Sequence, residues 1–190
     1  DVTAKNFKGR YIRWGIREHG MAAAMNGIAL HGGFVPAAGA FMVFTDYARP
    51  SMRLASLMGL GVVYVMTHDS IGLGEDGPTH QPVEQLASLR AIPGLLVLRP
   101  GDANEVVEAW RVIMNLHHEP VALILTRQDV PTVDRSKYAP ASGLARGAYI
   151  LADSSDGRPD VILIGTGSEV ALCIAAYEYL KSNGVKTRVV

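Results

Sequence analysis

The apolar residues of this chain alternate between short runs rich in β-branched side chains and longer segments with the repeat of about 3.6 residues that marks a helix. This alternation is typical of α/β proteins, in which helices pack against a parallel sheet. The pattern predicts strands at residues 11–14, 62–66, 95–98, 121–125, 148–151, 161–164 and 186–190. It predicts helices at residues 17–31, 41–57, 82–89, 103–116 and 169–183.

Two of these helices have recognisable starting residues. Asp102 followed by Glu105 matches a capping box, in which the side chains satisfy backbone N–H groups of the first turn. Ser168 stands directly before Glu169, which predicts a hydroxyl cap beside a favourable negative charge. We therefore expect helices to begin at these two points.

A polar segment between residues 127 and 147, with Pro131 and Pro140, is typical of a linker. We therefore divide the chain into an α/β domain at residues 1–137 and a second α/β domain that begins within residues 138–190. The second segment provides too few strands to close a core by itself. We expect it to be an incomplete domain.

The charge balance narrows the class of partner. The 18 basic and 18 acidic residues give a net charge of zero, which argues against nucleic acid and anionic membranes as partners. The uncharged stretch at residues 20–45 is interrupted by glycines and Pro36, so we predict no membrane span. The single cysteine, Cys173, cannot form an internal disulfide, so we expect a reducing cytoplasm.

The densest polar cluster lies at residues 67–81 and contains two histidines and three carboxylates. It follows the predicted strand 62–66, and ligand sites of open α/β sheets lie at the carboxyl ends of strands. We favour an active-site loop over a solvated turn. A metal site formed by His68, Asp76 and His80 is a weaker alternative, because their spacing matches no strong ligand signature.

Glu18 is a second candidate, because it opens a predicted helix whose next two turns carry no charge. Apolar surroundings would shield this carboxyl group from water and favour its protonated, hydrogen-donating form. The structural alternative is an acidic residue that complements the helix N-terminus.

Three aromatic residues and an arginine also have two interpretations each. Phe41, Phe44 and Tyr47 recur every three residues along one face of a predicted helix, which suits core packing or a pocket for a planar ring. Arg127 follows the predicted strand 121–125 and is either a bidentate anion clamp or a surface arginine.

Taken together, these segments resemble the transketolases over nearly the whole chain. The resemblance rests on residues 16–21, 41–47, 67–81, 86–90 and 126–128. The loop and its flanking residues favour this family over the related deoxyxylulose-phosphate synthases. The resemblance implies a pyrimidine-binding domain with a parallel sheet, followed by the start of the carboxy-terminal domain. It also implies thiamine diphosphate-dependent transfer of a two-carbon ketol unit from a ketose phosphate to an aldose phosphate.

The same resemblance gives each candidate on the cofactor side a role. Glu18 matches the glutamate that hydrogen-bonds the aminopyrimidine ring of the cofactor, and an apolar setting strengthens such a bond. Phe41, Phe44 and Tyr47 match the aromatic pocket around that ring. The implied roles are therefore catalytic and cofactor-binding for Glu18 and cofactor-binding for the aromatic residues.

On the substrate side, His80 and Asp76 match groups that contact sugar hydroxyls, and His80 joins Glu18 as a catalytic residue. His68 and Arg127 match the contacts to the acceptor phosphate. The substrates implied by the resemblance are sugar phosphates of the pentose phosphate pathway, used by a cytoplasmic homodimer.

The family's diphosphate motif, a Gly-Asp-Gly with a downstream asparagine, is not found in these residues. The resemblance therefore implies that magnesium and the diphosphate are held by the diphosphate-binding domain of a transketolase, from a second subunit. An alternative is one subunit of a split transketolase. A third is a non-catalytic α/β module that binds a nucleotide at residues 165–169.

Overall fold

The computed structural model describes residues 1–190 apart from the side chain of Ile71. Its first sheet has four strands, which are β1 (Ala37–Phe41), β2 (Val63–Asp69), β3 (Leu96–Leu98) and β4 (Val121–Thr126). They lie in the order β1-β2-β4-β3, and each neighbouring pair is parallel. The predicted α/β class with a parallel sheet is confirmed.

Helices cover both faces of this sheet, because its central strands are apolar on both sides. Alternate residues of β2 point to opposite faces, so Tyr64 and Met66 join one buried cluster and Val63 joins the other. The first cluster includes residues of α1 (Glu18–His31), α2 (Thr45–Leu57) and α3 (Gln85–Arg90). The second includes residues of α4 (Ala103–Ile113).

A smaller sheet follows, formed by β5 (Ala152–Asp153), β6 (Val161–Leu163) and β7 (Thr187–Val189). Its order is β5-β7-β6, and β7 is antiparallel to β5 and parallel to β6. The helix α5 (Glu169–Ser182) contributes Val170 and Tyr177 to the buried cluster beside this sheet. A 3₁₀ turn at Ala141–Arg146 precedes it.

The five predicted helices occur in the described structure, but three strand assignments differ. The predicted strand at residues 11–14 is wrong, since these residues are mostly exposed and form no strand. The first strand is instead β1, which the sequence analysis missed. Phe41 ends that strand, so α2 begins at Thr45 after a 3₁₀ turn, later than predicted. The strand predicted at residues 148–151 is replaced by the two-residue β5.

One predicted helix cap is confirmed and the other is wrong. The Asp102 carboxylate accepts the backbone N–H of Glu105 at 2.9 Å, and the Glu105 carboxylate accepts that of Gly101 at 2.8 Å. Ser168 has helical dihedrals and caps no backbone group. Its hydroxyl donates to the Glu169 carboxylate at 2.6 Å, which removes it from the backbone N–H groups of the helix start.

None of the helices among the described residues combines the length and hydropathy that crossing a bilayer requires.

Candidate functional site

The site begins where β1 and β2 end, at the carboxyl edge of the first sheet. Phe41, the last residue of β1, is paired in register with Thr67 of β2. The next residue, His68, stacks on Phe41 with ring centroids 3.4 Å apart and an interplanar angle of 17°. His68 has a φ of 60°, in the left-handed region that non-glycine residues rarely adopt. The backbone therefore leaves the regular strand at the point where His68 meets Phe41.

Three more rings complete the cluster. Phe44 lies 6.2 Å from Phe41 and 6.1 Å from Tyr47, measured between ring centroids. His80 meets Phe41 and Phe44 edge-on at 6.2 and 5.4 Å. The predicted stripe on one helix face is wrong, because the rings come from a strand, a 3₁₀ turn and the first turn of α2. Tyr47 is 63% exposed, which favours a ring-binding surface over core packing.

Each histidine of the cluster follows a threonine that engages one of its nitrogens. Thr67 Oγ1 lies 2.9 Å from His68 Nδ1, and Thr79 Oγ1 lies 2.8 Å from His80 Nδ1. With Nδ1 occupied, Nε2 is the ring nitrogen that remains to face a ligand. Neither threonine was predicted as a site residue, although the repeated Thr-His dipeptide was a signal for them.

The charged candidates surround His68. Partial burial and the positive charge of Arg127 hold the pKa of His68 below its ordinary value, while the Asp76 carboxylate acts in the opposite direction. His80 adds a smaller lowering effect. The substrate-side candidates thus lie close enough to influence one another's charge. Arg127 is exposed and forms no ion pair with the described residues, so the field at this end of the site suits an anion.

Gln128 joins the loop to the strand end that carries Arg127. The hydroxyls of Ser70 and Thr126 donate to Gln128 Oε1 at 2.8 and 2.7 Å. The backbone N–H of Gly72 donates to Ser70 Oγ at 3.1 Å. A Cβ at Gly72 would lie 2.7 Å from Gln128 Nε2, so glycine lets the loop approach this amide without displacing it. No role was predicted for Gln128, since a contact across 58 positions leaves no local signal.

Arg99 joins the loop to the start of α5, and it was not predicted as a site residue. Its Nε donates to Asp69 Oδ2 at 2.5 Å, and its Nη1 donates to the Thr166 carbonyl at 2.5 Å and to Glu169. Burial disfavours the charged guanidinium, but the bonds to Glu169 and Asp69 raise the pKa of Arg99 overall. A Cβ at Gly167 would lie 2.8 Å from this guanidinium. Arg99 therefore fills the space beside the turn at residues 165–169, which was the alternative site for a nucleotide.

Glu18 is half-buried and is the first residue of α1, as predicted. The next residue, His19, has its Nδ1 3.2 Å from Ser51 Oγ on α2. Ser51 lies one helical turn beyond Tyr47, so α1 presents Glu18 near the helix that carries the exposed ring. The Glu18 carboxylate has no hydrogen-bond or ion-pair partner within the described residues, and it is available to a ligand.

The structure gives no support to the metal alternative. Among the residues whose placement is described, no three His, Cys, Asp or Glu side chains are arranged to hold a metal ion. His68 and His80 instead make ring contacts with Phe41.

Comparisons with known proteins point to one family. A model described as the transketolase pyrimidine-binding domain matches residues 2–133, and one for the transketolase-like C-terminal domain matches residues 147–190. A transketolase from Cereibacter sphaeroides is 60% identical over 189 residues, covering 100% of this chain and 28% of the relative.

Solved structures agree with these matches. A transketolase from Leishmania mexicana is 43% identical with a TM-score of 0.92, covering 98% of this chain and 27% of that protein. A split-gene transketolase described as an inactive beta4 tetramer is 26% identical with a TM-score of 0.74, covering 98% of this chain and 58% of that one. The chain spans 27–28% of the length of the curated relatives.

Proposed function

Since the chain belongs to the transketolase family, a family of transferases, we propose that it supplies the pyrimidine side of a thiamine diphosphate site. The proposed reaction moves a two-carbon ketol unit from a ketose phosphate to an aldose phosphate. The observation that carries the proposal is the ring cluster at the carboxyl edge of the first sheet, formed by Phe41, Phe44, Tyr47, His68 and His80.

The residues on the cofactor side fit an aminopyrimidine ring. Phe44 and the exposed Tyr47 offer apolar ring surface, and the half-buried Glu18 offers a carboxyl group without a partner among the described residues. When bound, thiamine diphosphate would supply the nucleophilic carbon that takes up and releases the two-carbon unit. Glu18 would hold a proton toward a ring nitrogen, and the aromatic residues would exclude water from that bond, which strengthens it.

The residues on the substrate side divide into two roles. His80 and Asp76 would bond sugar hydroxyls, with His80 close to the reacting atoms. His68 and Arg127 would bind the acceptor phosphate, and the influence of Arg127 on the pKa of His68 supports their nearness. A phosphate held at this end would position the reacting carbonyl without taking part in bond making.

The remaining partners lie outside these 190 residues. We propose that magnesium and the diphosphate are held by a diphosphate-binding domain from a second subunit, as in a homodimer. The cytoplasm and the pentose phosphate pathway are the proposed setting. The domain boundary near Lys137 remains a prediction.

A mixing experiment tests the proposed function. The chain alone should remain folded by circular dichroism yet show no ketol transfer and only weak affinity for thiamine diphosphate, because the contacts to magnesium and diphosphate are the strongest ones. Addition of a diphosphate-binding half from a relative should restore transfer. A chain with Phe44→Ala should restore less. Tight, magnesium-dependent binding by the chain alone in calorimetry would contradict the proposal.

A second candidate is a subunit of a split transketolase with the same chemistry. It is favoured by one observation, the match that covers 58% of a split-gene relative. The parent reading frame decides between the two, since the magnesium motif is encoded either upstream in that frame or in a separate one. The non-catalytic nucleotide module is disfavoured, because Arg99 fills the turn near Gly167.

Arg127 gives a prediction on the acceptor. In the complete enzyme, Arg127→Ala should raise KM for phosphorylated acceptors. The lost binding free energy should be about 1.5 to 3 kcal/mol, the range for hydrogen bonds to charged groups. Arg127→Lys should recover part of this, since lysine keeps the charge and loses the planar fork. Steady-state kinetics with a phosphorylated acceptor and with glycolaldehyde provide the measurement.

Glycolaldehyde has no anion to lose, so its KM should be nearly unaffected by either change at Arg127. Arg111→Ala, which removes another exposed arginine, is the matched control and should change neither acceptor. If Arg127→Ala raised KM equally for both acceptors, the assignment of Arg127 to the phosphate would be wrong.

A further inference from the structure

Arg99 has the contacts of a link between the two parts of the chain. Its side chain is only 9% exposed, and two nitrogens of its guanidinium face different elements. Nε donates to Asp69 at the end of β2, and Nη1 donates to Thr166 and Glu169 at the start of α5. A single guanidinium thus neutralises two carboxylates, one from each sheet region.

Asp69 lies at the most irregular point of the substrate loop. It stands between His68 and Ser70, whose φ values of 60° and 95° are both in the left-handed region. Its pairing register with β4 also shifts between Met66 and Asp69. Non-glycine residues in such conformations are strained and persist only where surrounding contacts hold them.

The contacts that hold Asp69 come from two directions. Its backbone carbonyl accepts the backbone N–H of Arg127 at 3.4 Å and lies 3.0 Å from the Thr126 hydroxyl, which also contacts Gln128, and both groups belong to the end of β4. Its side chain is held by Arg99. Removing the guanidinium would leave the carboxylates of Asp69 and Glu169 facing each other, and the two elements would be driven apart.

We propose that Arg99 is a positioning residue that couples the second domain to the acceptor end of the site, by fixing the backbone that directs His68 onto Phe41. The kinetic consequence rests on the proposed function, in which His68 binds the acceptor phosphate. The structural consequence, which is the position of the His68 ring, does not rest on the proposed function. If the turn at Glu169 is displaced, Asp69 loses its anchor and His68 leaves its stacked position.

A spectroscopic experiment tests the coupling directly. In the full chain with ring-labelled histidines, the His68 signal should be displaced by the ring current of Phe41, because the two rings are stacked at 3.4 Å. Arg99→Met should move this signal toward that of an exposed histidine. The milder changes Arg99→Lys and Glu169→Gln should move it part of the way, and they keep the test informative if the methionine variant does not fold.

The control is Arg188→Met, which removes an arginine paired with Asp153 on the second sheet. It should leave the His68 signal in place. The coupling is overturned if none of the three changes at Arg99 and Glu169 moves the signal, or if the control moves it as far as they do.

Kinetics of the complete enzyme separate the two proposals. Arg99→Lys should raise KM for a phosphorylated acceptor by about tenfold, since displacement of a positioned group by about 1 Å is costly, and should raise KM for glycolaldehyde less. A moved His68 signal with no change in either KM would uphold the coupling and overturn the phosphate role of His68. A KM change without a moved signal would overturn the coupling.

Discussion

Replacing Glu18 with glutamine should lower turnover of the complete enzyme by about a hundredfold or more, while KM for sugar phosphates changes by less than about twofold. The amide occupies nearly the same space at the start of α1 and still sits beside a bound ring. It cannot share a proton with a ring nitrogen as a carboxyl group does. The lost interaction is realised mainly along the reaction path, so the loss falls on turnover.

The setting of Glu18 is what makes this effect large. The carboxyl group is half-buried, and the eight residues that follow it in α1 carry no Asp, Glu, Lys or Arg side chain. No neighbouring carboxyl group in this part of α1 can therefore take over the role of Glu18. Steady-state turnover with saturating cofactor provides the measurement.

Glu119→Gln is the matched control for this change. Glu119 is exposed and lies just before β4, at the sheet edge opposite the ring cluster, so its loss should leave turnover unchanged. A fall of less than about tenfold for Glu18→Gln, equivalent to about 1.4 kcal/mol, would show that the assigned proton role is wrong.

Asp102→Ala should lower the free energy of unfolding by about 3–5 kcal/mol, the range for breaking one partner out of a buried ion pair. The Asp102 side chain is fully buried and has several partners. It accepts the backbone N–H groups of Glu105 and Val133 and the Arg135 guanidinium, each at 2.9 Å. Alanine removes the α4 cap and the bond to the Val133 backbone, and it leaves the largely buried Arg135 with Glu105 as its remaining carboxylate partner.

Urea unfolding followed by circular dichroism measures this change. Asp134→Ala is the matched control, since Asp134 is an exposed turn residue with a long ion pair to Lys137, and exposed pairs of this kind contribute little to stability. The free energy of unfolding of Asp102→Asn should fall between those of the two alanine variants, because the amide keeps one acceptor oxygen but not the charge. Equal stability of the Asp102→Ala and Asp134→Ala chains would show that the buried cluster contributes little.

The central strands were predictable from the sequence and the first strand was not. Val63 and Val121 stand in β-branched runs whose side chains are buried on both faces of the sheet, which is the pattern that sequence reasoning detects. The strand β1 is made of Ala37, Ala38, Gly39, Ala40 and Phe41, and it forms because it pairs with β2. Small residues give no β-branched signal, so tertiary pairing decides that structure.

The candidate site shows the same division. Residue types in the loop identified His68 and His80 as candidates, but the stacking of His68 on Phe41 depends on a backbone conformation that the loop's long-range contacts hold. The Arg99 contacts join residues 30 and 70 positions apart. Neither arrangement follows from local propensity, because each is fixed by tertiary contacts between residues that are distant in the chain.

The contact between Gly72 and Gln128 also restricts which substitutions this sequence can accept during evolution. A side chain at position 72 would displace the Gln128 amide, because that amide would lie 2.7 Å from the new Cβ. A displaced amide, or a smaller residue at position 128, would give up the acceptor oxygen that Ser70 and Thr126 share. We therefore expect substitutions at positions 70, 72, 126 and 128 to be correlated among relatives.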